Sequence, residues 1–177
     1  MKDKIKAAAL AVFDEKGFYK AGIRDVAALS SCSLPTLYYY YKNKEALFEA
    51  SVCDSYEVLV GQIEEQLPEG LSLLERYYFA VLQRQLLPGD DKKVLRIAIK
   101  MLLGVDGFPE ARERLVTWER KRLDGERERL SHVYDDPSFA DVVLRVVDNM
   151  LQTSVLFGEQ LSSDQIRREL GYLFDRG

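Results

Sequence analysis

The chain is poor in the residues that do most enzyme chemistry. It has one histidine, His132, and two cysteines, Cys32 and Cys53, in 177 residues. The cysteines stand alone and far apart, with no C-x-x-C and no zinc-ligand spacing. This argues against a disulfide framework and against a structural zinc site. A Ser-His-Asp triad would need His132, and no G-x-S-x-G exists to place the serine. The paired E-x-x-H motifs of a di-iron bundle are missing, as are the phosphate-cradling patterns G-x-x-x-x-G-K and G-x-G-x-x-G. No catalytic residue, metal ligand or cofactor is expected, and the chain is not expected to be an enzyme. Five prolines and 11 glycines exclude collagen-like and linker-like chains. No stretch of 18 apolar residues exists, so no membrane partner is expected. Lys2, Lys4 and Lys6 precede an apolar run, Ala7 to Phe13, as in a signal peptide. Asp3 interrupts the basic part and Asp14-Glu15-Lys16 follow with no small-residue cleavage site, so the start reads as part of a cytoplasmic protein.

What is present is a globular composition: 47% apolar and 31% charged residues, with a net charge of -4. The length fits one domain, or a small module joined to a larger one. Charge is uneven along it. Residues 1 to 48 carry eight basic and five acidic side chains, a net +3, whereas the remainder carries 17 basic and 24 acidic, a net -7. A basic head on an acidic body suits a polyanion-binding module fused to a second domain, although +3 is small beside strongly basic binders.

Periodicity reads as helix throughout, with no alternating strand pattern. Ile5, Ala8, Ala9, Val12 and Phe13 share one helix face, and Gly17 follows as a C′ residue. A short second helix starts at Ile23 and breaks at Ser30-Ser31-Cys32-Ser33. Ser33 can cap a third helix, with Pro35 in the first turn where no donor is needed. Asn43 can cap the next. Two short helices joined by a tight turn make a helix-turn-helix, whose second helix enters the DNA major groove while the first braces the backbone. Beyond it, breakers at Leu67 to Gly70, Pro88 to Asp90, Gly104 to Gly107, Asp135 to Pro137 and Ser162 to Asp164 divide the chain. Helices are expected over about 44–67, 72–87, 92–103, 109–134, 137–158 and 164–175. The expectation is an all-α chain of about nine helices: a three-helix head over 1–47 and a helical ligand-binding and dimerisation domain over 48–177.

The head carries four consecutive tyrosines, Tyr38 to Tyr41. On a helix they point in four directions and cannot all be core. Leu37 and Tyr41 suit the small interior, while Tyr39 and Tyr40 suit the surface. Phenols donate to phosphates and rings pack on thymine methyls. Lys42 and Lys44 add cations, and Arg24 can reach a guanine or a phosphate.

The run Ile23-Arg24-Asp25-Val26-Ala27, followed by Ser33-Leu34-Pro35-Thr36-Leu37-Tyr38-Tyr39-Tyr40-Tyr41-Lys42-Asn43-Lys44-Glu45-Ala46-Leu47, resembles the tetracycline-repressor (TetR) family. The specific motif covers residues 5 to 50. Two departures stand out. The turn usually reads Ala-Gly-Val-Ser, so Ser31 takes the place of a left-handed glycine. Ala21-Gly22 replaces the usual Thr/Ser pair, losing a cap and a phosphate contact. The resemblance implies that Ser33, Leu34, Pro35, Thr36 and Tyr39 face bases, that Tyr38, Tyr40 and Lys44 hold phosphates, and that Arg24 sits where some relatives read a base. It implies a palindromic double-stranded operator as partner and a homodimer formed by the last two long helices. Val143, Val147, Met150, Leu151, Ile166, Leu170, Leu173 and Phe174 are the interface candidates.

The middle helices suit a pocket that is mostly apolar with a few polar points. Candidate walls are Tyr78, Phe79, Met101, Phe108 and Trp118, with Gln83, Asn149 and Thr153 as polar groups. Residues 110–129 hold 13 charged side chains and read as a solvated, ion-paired face. His132 reads as a surface or helix-end residue. The expected function is a ligand-responsive repressor released from DNA by a mostly apolar or aromatic small molecule. The alternatives are a helical enzyme or adaptor with a helix-turn-helix-like head, or a ligand-independent regulator.

Overall fold

A computed structural model describes residues 1–174. Its helices, in chain order, are α1 (Lys2–Lys20), α2 (Ile23–Leu29) and α3 (Leu34–Tyr40). Next comes α4, which runs unbroken from Lys44–Phe48 through a π-helical turn, Glu49–Cys53, into Asp54–Glu65. Then follow α5 (Leu73–Gln85), α6 (Gly89–Leu102), α7 (Pro109–Ser131), α8 (Pro137–Phe157) and α9 (Ser163–Phe174). The described residues thus form nine helices and no strand, an all-α fold. The expected end of the last helix at Asp175 lies outside the described residues.

Local chemistry sets most boundaries. Gly17, expected to end the first helix, instead kinks it at φ 72 and ψ 168, and α1 resumes to Lys20 with Ala21 as its C-cap. Ser33 accepts from the Thr36 N–H, and Asn43 accepts from the Ala46 N–H at 2.8 Å. Ser72 and Glu75 form a reciprocal capping box on α5, and Ser162 and Gln165 do the same on α9. α6 begins three residues before its expected start. Asp90 and Asp91 occupy its first turn, where carboxylates favour the positive end of the helix dipole. That outweighs the poor helix propensity of Gly89. The π-helical turn has no signature in the pattern.

Cα packing divides the chain into two compact units. The first comprises residues 1–59 and 88–117. In it α1 packs against α2, the first turns of α4, and α6. Phe13, Phe18, Phe48 and Phe108 are all buried and meet at centroid distances of 4.8 Å (Phe13–Phe48), 5.1 Å (Phe18–Phe48) and 4.7 Å (Phe18–Phe108). Arg96 binds Asp14 at 2.7 Å, and Arg114 bridges Asp54 and Glu57.

The second unit comprises residues 60–87 and, of the described residues, 118–174. Its core gathers Tyr77, Tyr78 and Val81 of α5, Val143, Val147 and Met150 of α8, and Ile166 and Leu170 of α9. Gln85 holds the segment before α9 by donating to the Leu161 carbonyl and accepting its N–H.

One expectation is corrected here: residues 110–129 are not simply a solvated face. Glu119 and Glu126 are buried. The Tyr77 hydroxyl donates to Glu126 at 2.9 Å, with Arg76 and Arg129 flanking. Burial and the adjoining Glu126 carboxylate push the Tyr77 phenol well above its ordinary range. Arg122 grips Glu119 at 2.8 Å and reaches Glu64 at 3.3 Å. The sequence pattern counts charges but does not show that opposite charges on neighbouring helices let them turn inward as pairs. His132 is exposed at the end of α7.

Two measurements check this architecture. Gly17→Ala should destabilise the protein by about 1–2 kcal/mol, since an L-residue is strained at positive φ and its Cβ would lie 3.2 Å from an Asp106 oxygen; urea unfolding reads the change. Burial pushes the Cys53 thiol up to about 12, whereas Cys32 is half-buried. A thiol reagent at about pH 8 should therefore label Cys32 in the folded protein and reach Cys53 only after unfolding.

Candidate nucleic-acid interface

α2 ends in a turn that sets the direction of α3. The Cys32 N–H donates to Ala27 O at 3.0 Å and the Ser31 N–H to Ala28 O at 3.1 Å, the paired bonds of a Schellman cap. This geometry needs a left-handed residue at the junction. Ser31 supplies it at φ 53, the one non-glycine residue with positive φ among those described. The buried Ser30 hydroxyl donates to Val26 O at 2.7 Å, tightening the last turn of α2.

Ser33 then starts α3. Its hydroxyl accepts from the Thr36 N–H at 3.2 Å and shares a hydrogen bond with the Thr36 hydroxyl at 2.8 Å. Pro35 occupies the first turn. Leu37 and Tyr41 point inward, as their spacing requires. Burial raises the Tyr41 phenol above its ordinary range. The other three tyrosines face out: Tyr39 is 82% exposed, Tyr38 51% and Tyr40 38%. The Tyr39 and Tyr40 rings meet edge-on at 5.2 Å. Ser33 and Pro35 are exposed; Leu34 and Thr36 are half-buried. α3 therefore presents a hydroxyl and apolar leading end and an aromatic trailing end, both reachable from solvent.

The cations frame this helix. Arg24 is exposed on α2. Asp25 beside it pairs with Lys16 at 2.7 Å, so that carboxylate is screened rather than left facing a polyanion. Lys44 is anchored at the first turn of α4: its ammonium donates to Tyr19 O at 3.2 Å and lies 4.5 Å from the Phe18 ring centroid. Partial burial lowers its pKa from the ordinary lysine value. One of its three N–H groups is used there, which leaves donors for a phosphate. Gly22 begins α2 without a side-chain cap, the loss that Ala21-Gly22 implies. All nine candidate DNA contacts thus lie on α2, α3, the Ser33 cap and the first residue of α4.

The candidates farther along are dispersed. Met101 is buried in the first unit, and Phe108 packs there on Phe18 and Phe48. Tyr78, Phe79, Gln83, Trp118, Asn149 and Thr153 belong to the second unit. Tyr78 is buried under the Arg167 guanidinium, 4.3 Å from the ring centroid. Gln83 carries a buried Oε1 with no hydrogen-bond partner, while Asn149 is exposed and Phe79, Trp118 and Thr153 are half-buried. Of the interface candidates, Val143, Val147, Met150, Ile166 and Leu170 are buried in the second unit's own core. Leu151, Leu173 and Phe174 keep partial exposure. Val142, Phe157 and Tyr172 are exposed on the same two helices. Among the described residues no group of three or more His, Cys, Asp and Glu could hold a metal ion, and no helix is long and apolar enough to cross a membrane.

Residues 5–51 match the sequence pattern described as bacterial regulatory proteins, tetR family. A stretch of 79 residues is 29% identical to the biofilm operon icaADBC HTH-type negative transcriptional regulator IcaR of Staphylococcus epidermidis, covering 45% of this chain and 43% of that one. The match thus spans less than half of that relative's length. Solved structures with the same fold include a TetR-like transcriptional regulator from Rhodococcus sp. RHA1, with a TM-score of 0.70 at 22% identity over 99% of this chain and 93% of that one. The fatty acid degradation regulator FadR from Bacillus halodurans is similar too, with a TM-score of 0.68 at 17% identity over 99% of this chain and 96% of that one.

The turn makes a test of its own. Left-handed backbone costs a side chain about 1–2 kcal/mol, more than the roughly 0.4–1 kcal/mol that glycine's freedom costs in the unfolded chain. Ser31→Gly should raise stability by about 0.5 kcal/mol in chemical unfolding; a fall would show that the serine side chain stabilises the turn.

Proposed function

We propose, from the match of its residues 5–51 to the tetR family of bacterial regulatory proteins, that the chain is a dimeric, ligand-responsive DNA-binding repressor of that family. The observation that carries the reading is the Ser33-capped helix α3, held out from α2 by a Schellman turn with Tyr38, Tyr39 and Tyr40 in solvent.

In this reading residues 1–47 bind DNA and residues 48–177 bind effector and dimerise. α3 enters the major groove. Ser33, Thr36 and Tyr39 offer hydroxyls to base edges, and Leu34 and Pro35 favour thymine methyls. Tyr38, Tyr40 and Lys44 hold phosphates, and Arg24 reaches a guanine or a phosphate. Such contacts fix register more than they read sequence. Two heads bind half-sites of a palindrome about one DNA turn (~34–36 Å) or more apart. The dimer forms through the surfaces of α8 and α9 that the core leaves available: Val142, Leu151 and Phe157 on α8, and Tyr172, Leu173 and Phe174 on α9. A two-fold axis makes one such patch meet its own copy.

The effector site lies within the second unit, with Gln83 on α5 and Thr153 on α8 as polar points. The effector prefers a conformation that spaces the two heads wrongly for the operator. It can shift that balance only by its difference in affinity for the two states, about 1.4 kcal/mol per tenfold. Repression is supported by the likeness to the staphylococcal relative, a negative transcriptional regulator.

Mobility-shift titration on the DNA upstream of the protein's own gene, across a salt series, tests the reading. Lys44→Ala should weaken binding to specific and random duplexes alike and reduce the salt slope by about 1. An unchanged slope would remove Lys44 from the phosphate contacts. Small molecules released from purified protein and identified by mass spectrometry supply the effector. Saturating protein with such a molecule should loosen the operator; equal affinity with and without it would end the gating reading.

A further inference from the structure

Lys44 rests on the turn Phe18–Tyr19, and that turn is not held by the head alone. At Gly17 the backbone of α1 breaks from helical geometry, with φ 72, before the last turn to Lys20. The Phe18 N–H donates instead to a side chain far away in sequence, Asp106 Oδ1, at 2.9 Å. The same oxygen accepts the Gly107 N–H at 2.7 Å, so the carboxylate is fixed by its own loop. That loop is shaped by two left-handed glycines, Gly104 at φ 76 and Gly107 at φ 82. Arg112 braces it by donating to Met101 O at 3.0 Å. The approach is close: a Cβ at Gly17 would lie 3.2 Å from Asp106 Oδ1. Phe108 then lays its ring on Phe18 at 4.7 Å. On the turn itself, the Lys44 ammonium takes its two internal contacts from the Phe18 ring and the Tyr19 carbonyl.

We propose that Asp106, outside the matched head, is a positioning residue for DNA binding: its hydrogen bond to the Phe18 amide places the Phe18–Tyr19 turn, and the turn places the Lys44 ammonium against a phosphate. Asp106 touches no DNA. As a carboxylate it would repel DNA, so a purely electrostatic role predicts that removing it strengthens binding. The positioning role predicts the opposite sign. The inference rests on the reading of the head as a DNA reader, and the wild-type protein tests that part separately.

The experiment is a double-mutant cycle in the full-length protein, binding a mixed-sequence duplex oligonucleotide over a salt series. Wild-type protein that binds no duplex overturns the DNA reading itself. Given wild-type binding, Asp106→Ala should weaken it about fivefold, the size of one coupled contact, and shift the salt slope toward that of Lys44→Ala. Added to Lys44→Ala it should cost little more, whereas added to Tyr39→Ala it should cost its full amount. Asp106→Asn, whose side-chain oxygen still accepts the Phe18 N–H, should recover most of the loss. Unchanged or tighter binding by Asp106→Ala, full additivity with Lys44→Ala, or an asparagine variant as weak as alanine would each overturn the proposal. Should Asp106→Ala not fold, hydrogen exchange at the Phe18 amide decides: bound duplex should slow it in wild-type protein and not in Lys44→Ala, and equal slowing in both overturns the coupling.

Discussion

The contact on which the head's geometry depends is the packing of Phe13, Phe18 and Phe48 against Phe108. A three-helix head of this size buries too little apolar surface to be firm by itself. Each buried phenylalanine contributes roughly 1.5–3 kcal/mol, a large share of the few kcal/mol that decide folding in a small unit. Phe108 comes from the corner between α6 and α7, and α6 lies along α1. The unit that contains the head is completed by residues 88–117 for this reason. The same corner brings Asp106 to the Phe18 amide. Packing and polar placement are thus one arrangement: the ring that fills the core and the carboxylate that takes the amide freed at the α1 kink are two residues apart.

Seven residues are too few for a helix to persist without help, since nucleation is costly and propagation short. α3 is held by its ends instead. Ser33 satisfies the N-terminal amide of Thr36, and the Tyr41 N–H closes on Leu37 O at 2.9 Å. Leu37 and Tyr41 are its inward anchors. With so few positions committed inward, the remaining side chains stay free to meet a ligand. A longer helix would need a wider apolar stripe and would leave fewer faces open.

How much of this was legible follows from what periodicity measures. Caps act through one or two hydrogen bonds between near neighbours, so Ser33 and Asn43 announced their helix starts in the sequence, whereas Gly17 announced a break that the structure makes a kink within α1. The exposure of Tyr39 and burial of Leu37 followed from helical spacing. Periodicity says which face is apolar but not what covers it. The stripe Val143, Val147 and Met150 therefore read as an interface, and in the structure it is buried in its own unit's core. The charges of α7 failed differently. Ala111, Leu115, Glu119, Glu126 and Leu130 are all buried and share one face at steps of four and seven. Two inward positions on that face are glutamates, matched by Arg122 for Glu119 and by Arg76, Arg129 and Tyr77 for Glu126. Removing one partner of such a pair leaves a buried charge uncompensated, which costs far more than the pair itself contributes. A glycine at C′ signals that the next amide needs an acceptor. It gives no hint that Asp106 supplies one, because that pairing exists only after α6 has docked.

The head's modest charge constrains how it can bind. Affinity for duplex DNA rises with the number of phosphates neutralised, each releasing counterions. Lys16 is already paired with Asp25, and Lys44 is partly occupied by the Tyr19 carbonyl. What remains around α3 is two exposed cations, Arg24 and Lys42, and five hydroxyls, those of Ser33, Thr36 and three phenols. Neutral donors fix position but release few ions, so a single head gains little from electrostatics. Binding of useful strength must then come from repetition. A second head on the same duplex converts its own contacts into an intramolecular event, with an effective concentration set by the linkage between the two. That gain holds only while both heads match the spacing of the half-sites. If two such heads share one duplex, as proposed, a weakly charged, tyrosine-rich head makes occupancy depend on how well their spacing matches the half-sites.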